Sequence, residues 1–591
     1  MGYLYLEIFT NNLLEVFTTI PSFIALFVYR YLGNPPNVKI KFVPSHSISS
    51  CNSIRLHFTY FNSQQQEDDV LSTDSYAYQA IQDLRLPVYS KDGDTFVAGM
   101  CGVCRELVAH QENLEIRKLL GFKENCLMSP SETSVWTRFC EVDIVKALKH
   151  LLLCHSHKES VKEIPVEVVR FENHMNEPVR MHNIYKLARE QANQIKHQRS
   201  NNIKNAKITI DCKIPKEELE IEHKFAEGVL FTIADLILYP CLRLIFHLSR
   251  NMLENFPMTS LWFKEVDRLE PKCKAILEEL CLYPSDKEEL ISSLPIPYCE
   301  ARSLYKSDPK RYKPRNRIFT EQKDVDAALT KLQVLRLNYN SDCSKTFDNK
   351  TIDWHKIEPA HAKNCALPQK RLERKRQQLE NLANAVMSLA EPGNRIIDFC
   401  SGTGHLGILM ALQLPQCTII LMENKPESLQ RAKLRALELK LSNIKFYQCN
   451  IDYFKGKFNL GTSLHACGTA TDIVLQQCRQ AKANFVCCPC CYGSLQSMPH
   501  VTYPLSEKFR QVLSEKDFMY IAHTADQAHA LGTLNCKPEK TKQGQLCMDI
   551  VDTDRKLQAE EAGYEVTLTR LKPEDCTPKN RLLVGLLRKK S

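Results

Sequence analysis

A strand, a glycine-rich turn and a helix follow one another near residue 400 and constrain the fold more than any other part of the chain. The strand covers 395–399, and the turn leads into an apolar helix at 408–414. A second strand at 418–422 ends at Glu423, which lies 19 residues beyond Gly404. Glycines let a ligand approach the backbone at the carboxyl edge of a parallel sheet, and an acid at the next strand tip can accept both hydroxyls of a ribose. The pattern therefore predicts an α/β sheet with a ligand site at this edge.

Three later strands each end in polar or reactive side chains. We predict these strands at 444–448, 459–464 and 484–488. The side chains that follow them are Asn450 and Asp452 after the first, His465 and Cys467 after the second, and Pro489, Cys490, Cys491 and Tyr492 after the third. Open α/β sheets bind their ligands at this carboxyl edge, so the pattern indicates a binding site there.

The C-terminal part of the chain, from about residue 365 to 591, resembles the class I S-adenosylmethionine-dependent methyltransferases. The resemblance is carried by the glycine turn, by Leu-His-Ala-Cys-Gly at 464–468 and by Pro-Cys-Cys at 489–491. These motifs are similar to those of a subgroup that includes proteins linked to RNA modification. Strands at 564–571 and 581–587 complete a predicted seven-stranded, Rossmann-like sheet. The resemblance implies S-adenosylmethionine as the cofactor.

The same resemblance implies roles for six residues at the cofactor. Asp398, Gly402 and Gly404 would hold the methionine part, Glu423 the ribose, and Asn450 or Asp452 the adenine. The chain departs from the family pattern at Cys400, which replaces the first loop glycine, and at Asn450, which stands where the family usually has an acid. Two alternatives are a Rossmann domain that binds nothing and a nicotinamide-dependent dehydrogenase.

His465 is the candidate for acting on a substrate. A methylsulfonium group is already activated, so the protein must align the nucleophile and exclude water, and a general base is not obligatory. A neutral imidazole near pH 7 can still orient or deprotonate a substrate. The alternative is a structural histidine that bonds to a loop carbonyl. We expect the wall of the substrate pocket to consist of Cys467, Pro489, Cys490, Cys491 and Tyr492.

The cysteines around residue 490 could also coordinate zinc. Cys487 and Cys488 are neighbours in a strand and point to opposite faces, so both cannot face one ion without a bulge. We therefore expect these cysteines to pack at the sheet edge and to hold no metal.

The chain has 25 cysteines and nothing that resembles a secretory signal or a transmembrane helix. We expect a reducing compartment, the cytoplasm, and no membrane.

The front of the chain predicts another α/β region followed by helices. Strands at 3–10 and 39–43 flank a helix at 24–31, and the pattern becomes helical from about Leu114. A Cys-x-x-C motif at 101–104 is typical of redox or half-zinc sites, but its apolar neighbours favour a packed helix face.

Thr232 and Asp235 predict a reciprocal N-terminal cap ahead of an apolar helix. This box resembles the one in the C-terminal domain of glutathione S-transferases. The region before it is similar to the thioredoxin-like N-terminal domain of that family, with Pro87 at the position of the cis-proline.

The front half departs from glutathione transferases at the residues that bind glutathione. Ile20 stands before Pro21, where cysteine-type members have their nucleophile. Gly99 and Met100 stand where the family has the Glu-Ser pair that holds the γ-glutamyl group. We therefore expect no useful glutathione conjugation.

A chain of 591 residues is long enough for several domains. We predict a degenerate thioredoxin-like domain at 1–113, a helical glutathione S-transferase C-terminal-like domain at 114–300, a basic linker at 301–364 and a methyltransferase-like domain at 365–591. The predicted function is methyl transfer to an unidentified acceptor. The alternatives are a non-catalytic scaffold whose helical domain docks a protein partner, and a glutathione transferase.

The charge balance permits a polyanionic partner without requiring one. The chain has 78 basic and 69 acidic residues, a net charge of +9. Two basic stretches stand out: Lys306, Lys310, Arg311, Lys313, Arg315 and Arg317 with Tyr305 and Tyr312, and then Lys370, Arg371, Arg374, Lys375 and Arg376. Cations contact phosphates while tyrosines stack on bases, but a solvated linker and helix have the same pattern. We favour RNA slightly over protein or a metabolite as the acceptor.

Overall fold

The computed structural model divides into two compact units, Met1–Arg315 and Asn316–Ser591. The structure describes residues 1–10, 15–45, 52–57, 76–131, 134–159, 161–179, 184–186, 188–190, 192, 215, 218–219, 221–249, 252–282, 294–301, 303–304, 320–339, 347, 352–354, 368–498, 500–527 and 538–588. The finer domain boundaries at 113, 300 and 364 stay predictions.

Unit 1, the N-terminal unit, begins with a mixed sheet. Its strands are β1 (Gly2–Thr10), β2 (Val16–Thr18), β3 (Val38–Pro44), β4 (Ile54–Arg55), β5 (Val88–Ser90) and β6 (Thr95–Ala98). The long strand β1 pairs in parallel with β3 and antiparallel with β2 and β5. Leu4, Leu6 and Ile8 recur at the two-residue period of a strand and lie in the core. The strands predicted at 3–10 and 39–43 are confirmed.

Helices make up the rest of unit 1. They are α1 (Ile20–Tyr31), α2 (Tyr76–Asp83), α3 (Met100–Ala109), α4 (Leu114–Arg117), α5 (Val135–Arg138), α6 (Ile144–Ser156), α7 (Val166–Asn176), α8 (Ile233–Leu248), α9 (Pro257–Leu269) and α10 (Lys272–Leu280). The described residues between 114 and 282 contain no strand, as predicted. The apolar side chains of α1 and α8 are buried in a core that they share with the sheet.

The cap predicted for α8 is present. The Thr232 side chain and the Asp235 carboxylate form a reciprocal box, in which the Thr232 backbone N donates to Asp235 Oδ2 at 2.8 Å. The other carboxylate oxygen accepts from the Ala226 backbone N and from Trp262 Nε1, both at 2.8 Å. This buried carboxylate therefore joins the start of α8 to the loop before it and to α9.

Two smaller predictions for unit 1 are also confirmed. The Leu86-Pro87 peptide bond is cis, as the resemblance implied. Cys101 and Cys104 are buried on the packed face of α3, and burial raises the pKa of both thiols.

Two of the hydroxyls near the start of α1 form hydrogen bonds to β1, whereas the Thr19 hydroxyl has no hydrogen-bond partner among the described residues. Thr18 Oγ1 donates to the Glu7 carbonyl at 2.7 Å, and Ser22 Oγ accepts from the Glu7 backbone N at 3.1 Å. Ile20 and Met100 are each 2% exposed. Two of the positions at which the sequence resemblance implies glutathione-binding residues are therefore occupied by apolar side chains packed in the interior.

Unit 2, the C-terminal unit, contains a seven-stranded sheet. Its strands are β7 (Arg395–Phe399), β8 (Thr418–Met422), β9 (Ile444–Gln448), β10 (Leu460–Ser463), β11 (Asn484–Cys487), β12 (Tyr564–Arg570) and β13 (Arg581–Leu587). Their order is β9-β8-β7-β10-β11-β13-β12. Strands β7 to β11 are parallel, and β13 runs antiparallel to both of its neighbours. The predicted Rossmann-like sheet is confirmed.

The helices of unit 2 cover both faces of this sheet, which explains why β7 and β8 read as continuous apolar runs. They are α11 (Gln322–Leu332), α12 (Gln369–Leu389), α13 (His405–Gln413), α14 (Pro426–Glu438), α15 (Thr469–Ala481), α16 (Glu507–Arg510), α17 (Glu515–Ala525) and α18 (Pro538–Glu561). None of the helices within the described ranges has both the length and the apolar character needed to cross a bilayer.

Part of the predicted basic linker has a definite structure. Helix α11 packs against α17, and Lys331 Nζ lies 2.7 Å from Asp517 Oδ2. The basic stretch itself, residues 305–317, lies outside the described residues.

Candidate functional site

The carboxyl ends of the parallel strands bring the predicted residues to one edge of the sheet. In the register of the sheet, Thr462 pairs with Asp398, and Asp398 with Leu421. The chain leaves β7 toward β8 on one side and returns as β10 on the other, so the order of strands switches between β7 and β10. Such a switch point opens a crevice in which α/β sheets bind ligands.

The two loop glycines have different physical reasons to be glycine. Both have positive φ, +56° at Gly402 and +73° at Gly404. A Cβ at Gly404 would lie 2.7 Å from Leu421 Cδ1 and 2.8 Å from Ala432 Cβ, whereas a Cβ at Gly402 would meet nothing within 4 Å. Gly404 therefore serves close packing, and Gly402 leaves space that a ligand can occupy. Cys400, at the family's first glycine position, has a left-handed φ of 54°.

Glu423, at the tip of β8, faces the glycine loop. Its Oε2 accepts from the Gly402 backbone N at 2.8 Å, and its Oε1 accepts from the Lys425 backbone N at 2.9 Å. These two bonds orient the carboxylate and leave acceptor capacity on each oxygen.

Asp398 lies beneath the loop. Its carboxylate is 2% exposed, and Oδ2 accepts from the Gly407 backbone N at 2.9 Å. Burial, and to a lesser degree the Glu423 carboxylate, raises the pKa of Asp398 to about 8. The visible role of Asp398 is therefore to hold the first turn of α13 against β7.

Asn450 and Asp452 follow β9 at the same edge, and both are partly exposed. Asp452 Oδ1 lies 3.9 Å from His500 Nε2. The Asn450 side chain makes no hydrogen bond to any described residue, so it is free to face a ligand.

His465 follows β10 at the switch point, and its side chain reaches solvent. No described residue forms a hydrogen bond with it, so the structure gives no support to the alternative of a histidine tied to a loop carbonyl. Partial desolvation and then the Lys375 ammonium lower the pKa of His465. The imidazole is therefore neutral near pH 7.

Three further basic groups lie around His465. Arg435 Nη1 donates to His405 Nδ1 at 2.9 Å. Burial, followed by the neighbouring Arg435, lowers the pKa of Lys375 to about 8. Burial, Arg435, Lys375 and His465, in that order, lower the pKa of His405 to about 2. Neither Lys375 nor Arg435 has an ion pair in the part of the chain that the structure describes, so this basic cluster (Lys375, His405, Arg435 and His465) favours an anion.

Three thiols meet beside His465. The sulfur atoms of Cys467, Cys490 and Cys491 all lie within 4.8 Å of one another, and Cys467 Sγ is 3.3 Å from Cys490 Sγ. Hydrogen bonding to Cys490 lowers the pKa of Cys467 to about 6. Burial raises the pKa of Cys491 to about 11, and the hydrogen bond to Cys467 raises that of Cys490.

The other predicted wall residues lie below the edge. Pro489 is buried. Tyr492 is 0% exposed and its hydroxyl donates to Asp552 Oδ2 at 2.7 Å, so the phenol belongs to the interior. Cys487 and Cys488 are buried too. The sequence-based expectation that no metal is held depended on Cys487 and Cys488 pointing to opposite faces. The three thiols that lie together in the structure are instead Cys467, Cys490 and Cys491.

Comparison with known proteins identifies the family. Residues 374–498 match the family model described as a methyltransferase domain. The glutathione S-transferase C-terminal domain-containing protein homolog of Drosophila pseudoobscura pseudoobscura is 60% identical over 587 residues, which cover 99% of this chain and 98% of that protein. The human protein of that name is 33% identical, with 86% of each chain covered. The chain belongs to the family of glutathione S-transferase C-terminal domain-containing proteins.

A solved methyltransferase is also similar to this family member. Magnesium protoporphyrin IX methyltransferase (ChlM) from Synechocystis PCC 6803 with bound SAH is 11% identical, with a TM-score of 0.25, over 40% of this chain and 94% of that chain. The fold of unit 2 is assigned from its strand order and the matching family model.

Sequence reasoning missed part of the site in this family member. His405 lies in the glycine motif but was not predicted as a site residue. Arg435 lies on α14, and no motif in the sequence around it indicates a functional role. The meeting of Cys467 with Cys490 and Cys491 was missed because it depends on which strands are neighbours.

Proposed function

We propose that unit 2 binds S-adenosylmethionine at the β7–β8 edge and transfers its methyl group to an acceptor at the β10–β11 edge. The main support is Glu423, whose carboxylate is aimed by the Gly402 and Lys425 backbone amides at 2.8 and 2.9 Å beside the open space over Gly402. The residues fit a ribose, because an oriented carboxylate can accept two neighbouring hydroxyls.

The protein's own residues would position the two reactants. Bound S-adenosylmethionine supplies an activated methyl group, so alignment and exclusion of water are the tasks left to the chain. Gly402 and Glu423 would hold the nucleoside, and Asn450 or Asp452 the adenine. Asp398 would keep the loop in place through Gly407. His465 would accept a proton from the acceptor or orient it with its neutral imidazole.

Calorimetry with the full-length protein tests cofactor binding. We expect S-adenosylmethionine and its demethylated product to release or absorb heat on binding, and Glu423→Ala to weaken binding by about 1 to 3 kcal/mol, since hydrogen bonds to a charged group are lost. Glu427→Ala, which removes an exposed carboxylate in the first turn of α14, is the matched control and should bind as the wild type does. No heat at millimolar ligand would favour a Rossmann domain that binds nothing and serves as a scaffold.

We propose RNA as the methyl acceptor, because the basic cluster lies beside His465. Lys375 and Arg435 are partly buried cations without ion pairs in the described chain, which suits phosphate groups. The start of α12 adds exposed cations at Lys370 and Arg371. Together they provide a basic surface that leads to the proposed transfer site.

Fluorescence anisotropy with a structured RNA at several salt concentrations tests this acceptor class. Affinity should fall with ionic strength by about one log-log slope unit per phosphate contact. The test variant carries Lys370→Ala, Arg371→Ala and Arg374→Ala, and the control with the same charge change carries Lys508→Ala, Lys516→Ala and Lys540→Ala on other helices. Equal binding by the two variants, or no binding at low salt, would contradict the proposal.

We propose that unit 1 is a glutathione-transferase-like module without conjugating activity. Thr18 and Ser22 are bonded to β1, and Ile20 and Met100, at the positions where the resemblance places the nucleophile and part of the γ-glutamyl anchor, are buried apolar side chains. The full-length protein should pass through immobilised glutathione. Retention that free glutathione competes away would support the glutathione transferase alternative.

A further inference from the structure

The backbone of unit 2 directs three thiols from two loops to one point. Cys467, after β10, and Cys490, after β11, form an isolated parallel bridge, and the Gly468 backbone N donates to the Cys490 carbonyl at 3.1 Å. The two loops are therefore held together by main-chain bonds, independently of any contact between the sulfur atoms.

Cys491 joins the pair because its backbone leaves the extended conformation. In a strand, consecutive side chains point to opposite faces, so Cys490 and Cys491 would point apart. The left-handed conformation of Cys491, with φ of 53° and ψ of 49°, reverses this. A side chain other than glycine costs about 1 to 2 kcal/mol there. The strain occurs at the residue that supplies the third thiol, as is typical of functional sites.

We propose that Cys467, Cys490 and Cys491 form a three-thiolate site for a soft d¹⁰ cation, with Zn²⁺ as the expected ion. A tetrahedral zinc ion with metal–sulfur bonds of about 2.3 Å separates its sulfur ligands by about 3.8 Å. The Cys467 and Cys490 sulfur atoms are 3.3 Å apart here and all three sulfur atoms lie within 4.8 Å of one another, so small side-chain rotations suffice. Thiolate ligands select soft cations over magnesium or calcium.

The site has three protein ligands and an accessible fourth position. Cys467 is exposed, which provides an entry path for the ion. The nearby Asp526 carboxylate is already engaged, because Oδ2 accepts from the Gly493 backbone N at 2.8 Å and Oδ1 lies 2.9 Å from Lys579 Nζ. Water, or a donor atom of a substrate, would then complete the tetrahedron, an arrangement typical of catalytic rather than structural zinc.

Cobalt titration of the reduced, full-length protein tests the site. Co²⁺ bound by thiolates produces a charge-transfer band in the near ultraviolet, and Zn²⁺ should displace it. We expect one equivalent with this band in the wild type, and loss of the band in each of Cys467→Ser, Cys490→Ser and Cys491→Ser. Cys299→Ser, which changes a partly exposed thiol in unit 1, should keep the band.

Three outcomes would overturn the proposal: no band in the wild type, a band that survives in all three site variants, or a band lost equally in Cys299→Ser. A Cys467–Cys490 disulfide in protein purified without reductant, together with no metal uptake after reduction, would instead identify a thiol pair. The readout is spectroscopic and needs neither cofactor nor acceptor. Failure of methyl transfer and failure of metal binding are thus distinguishable.

Discussion

Asp398 is enclosed beneath the glycine loop, and a buried carboxylate with one backbone donor is costly to ionise. Its Oδ2 accepts from the Gly407 backbone N, and its pKa is raised to about 8, mainly by burial. We therefore expect Asp398 to carry a proton in the free protein at neutral pH. An amide side chain can replace that protonated carboxyl with the same shape and no charge.

Substitution Asp398→Asn should remove a pH dependence of stability. The pKa of Asp398 is about 8 in the folded state and about 3.9 in the unfolded state. The folded state therefore keeps the proton up to a higher pH than the unfolded state does. The stabilisation is complete below about pH 4 and is lost as pH rises toward 8, by up to about 1.4 kcal/mol per unit. Melting temperatures without cofactor at pH 5, 6.5 and 8 should show the wild type losing stability relative to Asp398→Asn. Melting temperatures that change with pH by the same amount in the wild type and in Asp398→Asn would contradict a protonated Asp398.

At the scale of elements, α8 and α11 are two of the helices that begin with a reciprocal capping box, and their boxes have different surroundings. The box of α8 uses Asp235, which is 0% exposed and also accepts from Ala226 and Trp262. The box of α11 uses Glu321 and Asp324 at an exposed surface. The local sequence signal is similar, but the buried box has additional donors to satisfy.

Removing the two caps should have unequal effects. Asp235→Ala leaves three buried N–H donors without partners and should destabilise unit 1 by about 3 kcal/mol or more, whereas Asp324→Ala should cost about 0.5 to 1 kcal/mol. Urea denaturation of the full-length protein measures both. The tryptophan fluorescence of the first variant should also change, because Trp262 Nε1 donates to Asp235. Equal losses in the free energy of unfolding for the two variants would show that burial of the capping box does not add to its contribution to stability.

At the scale of the whole molecule, a buried ionic network stabilises unit 2 behind the site. Arg555 on α18 donates from Nε to Asp472 Oδ1 on α15 at 2.7 Å and from Nη1 to Asp552 Oδ1 at 2.9 Å. Asp552 also accepts from Tyr492, which follows the thiol cluster directly. The loop that carries Cys490 and Cys491 is therefore anchored to two long helices.

Arg555→Ala should destabilise unit 2 by about 3 to 5 kcal/mol, because two buried carboxylates lose their cation. The neighbouring Lys556→Ala removes a partly exposed ion pair with Glu560, 3.8 Å long, and should cost no more than about 0.5 kcal/mol. Chemical denaturation of both variants measures the difference. A small effect of Arg555→Ala would mean that the carboxylates are protonated or hydrated in the variant.

Local patterns in the sequence determined most of the elements that build the site. The bounds of strands β7, β8 and β9 agree with those predicted, because buried apolar runs between turn residues identify strands in a parallel sheet. The reciprocal cap of α8 was also predicted, since its hydrogen bonds join residues three apart.

Only the tertiary structure decided which side chains meet. Cys467 and Cys491 are 24 positions apart, and their contact requires β10 beside β11 and a left-handed residue in a strand-like run. Arg435 reaches His405 because α14 packs near α13, and Tyr492 is buried because Asp552 lies below it. Periodicity indicates which face of an element is apolar, but contacts between distant residues depend on strand order and on single backbone conformations that local sequence does not specify.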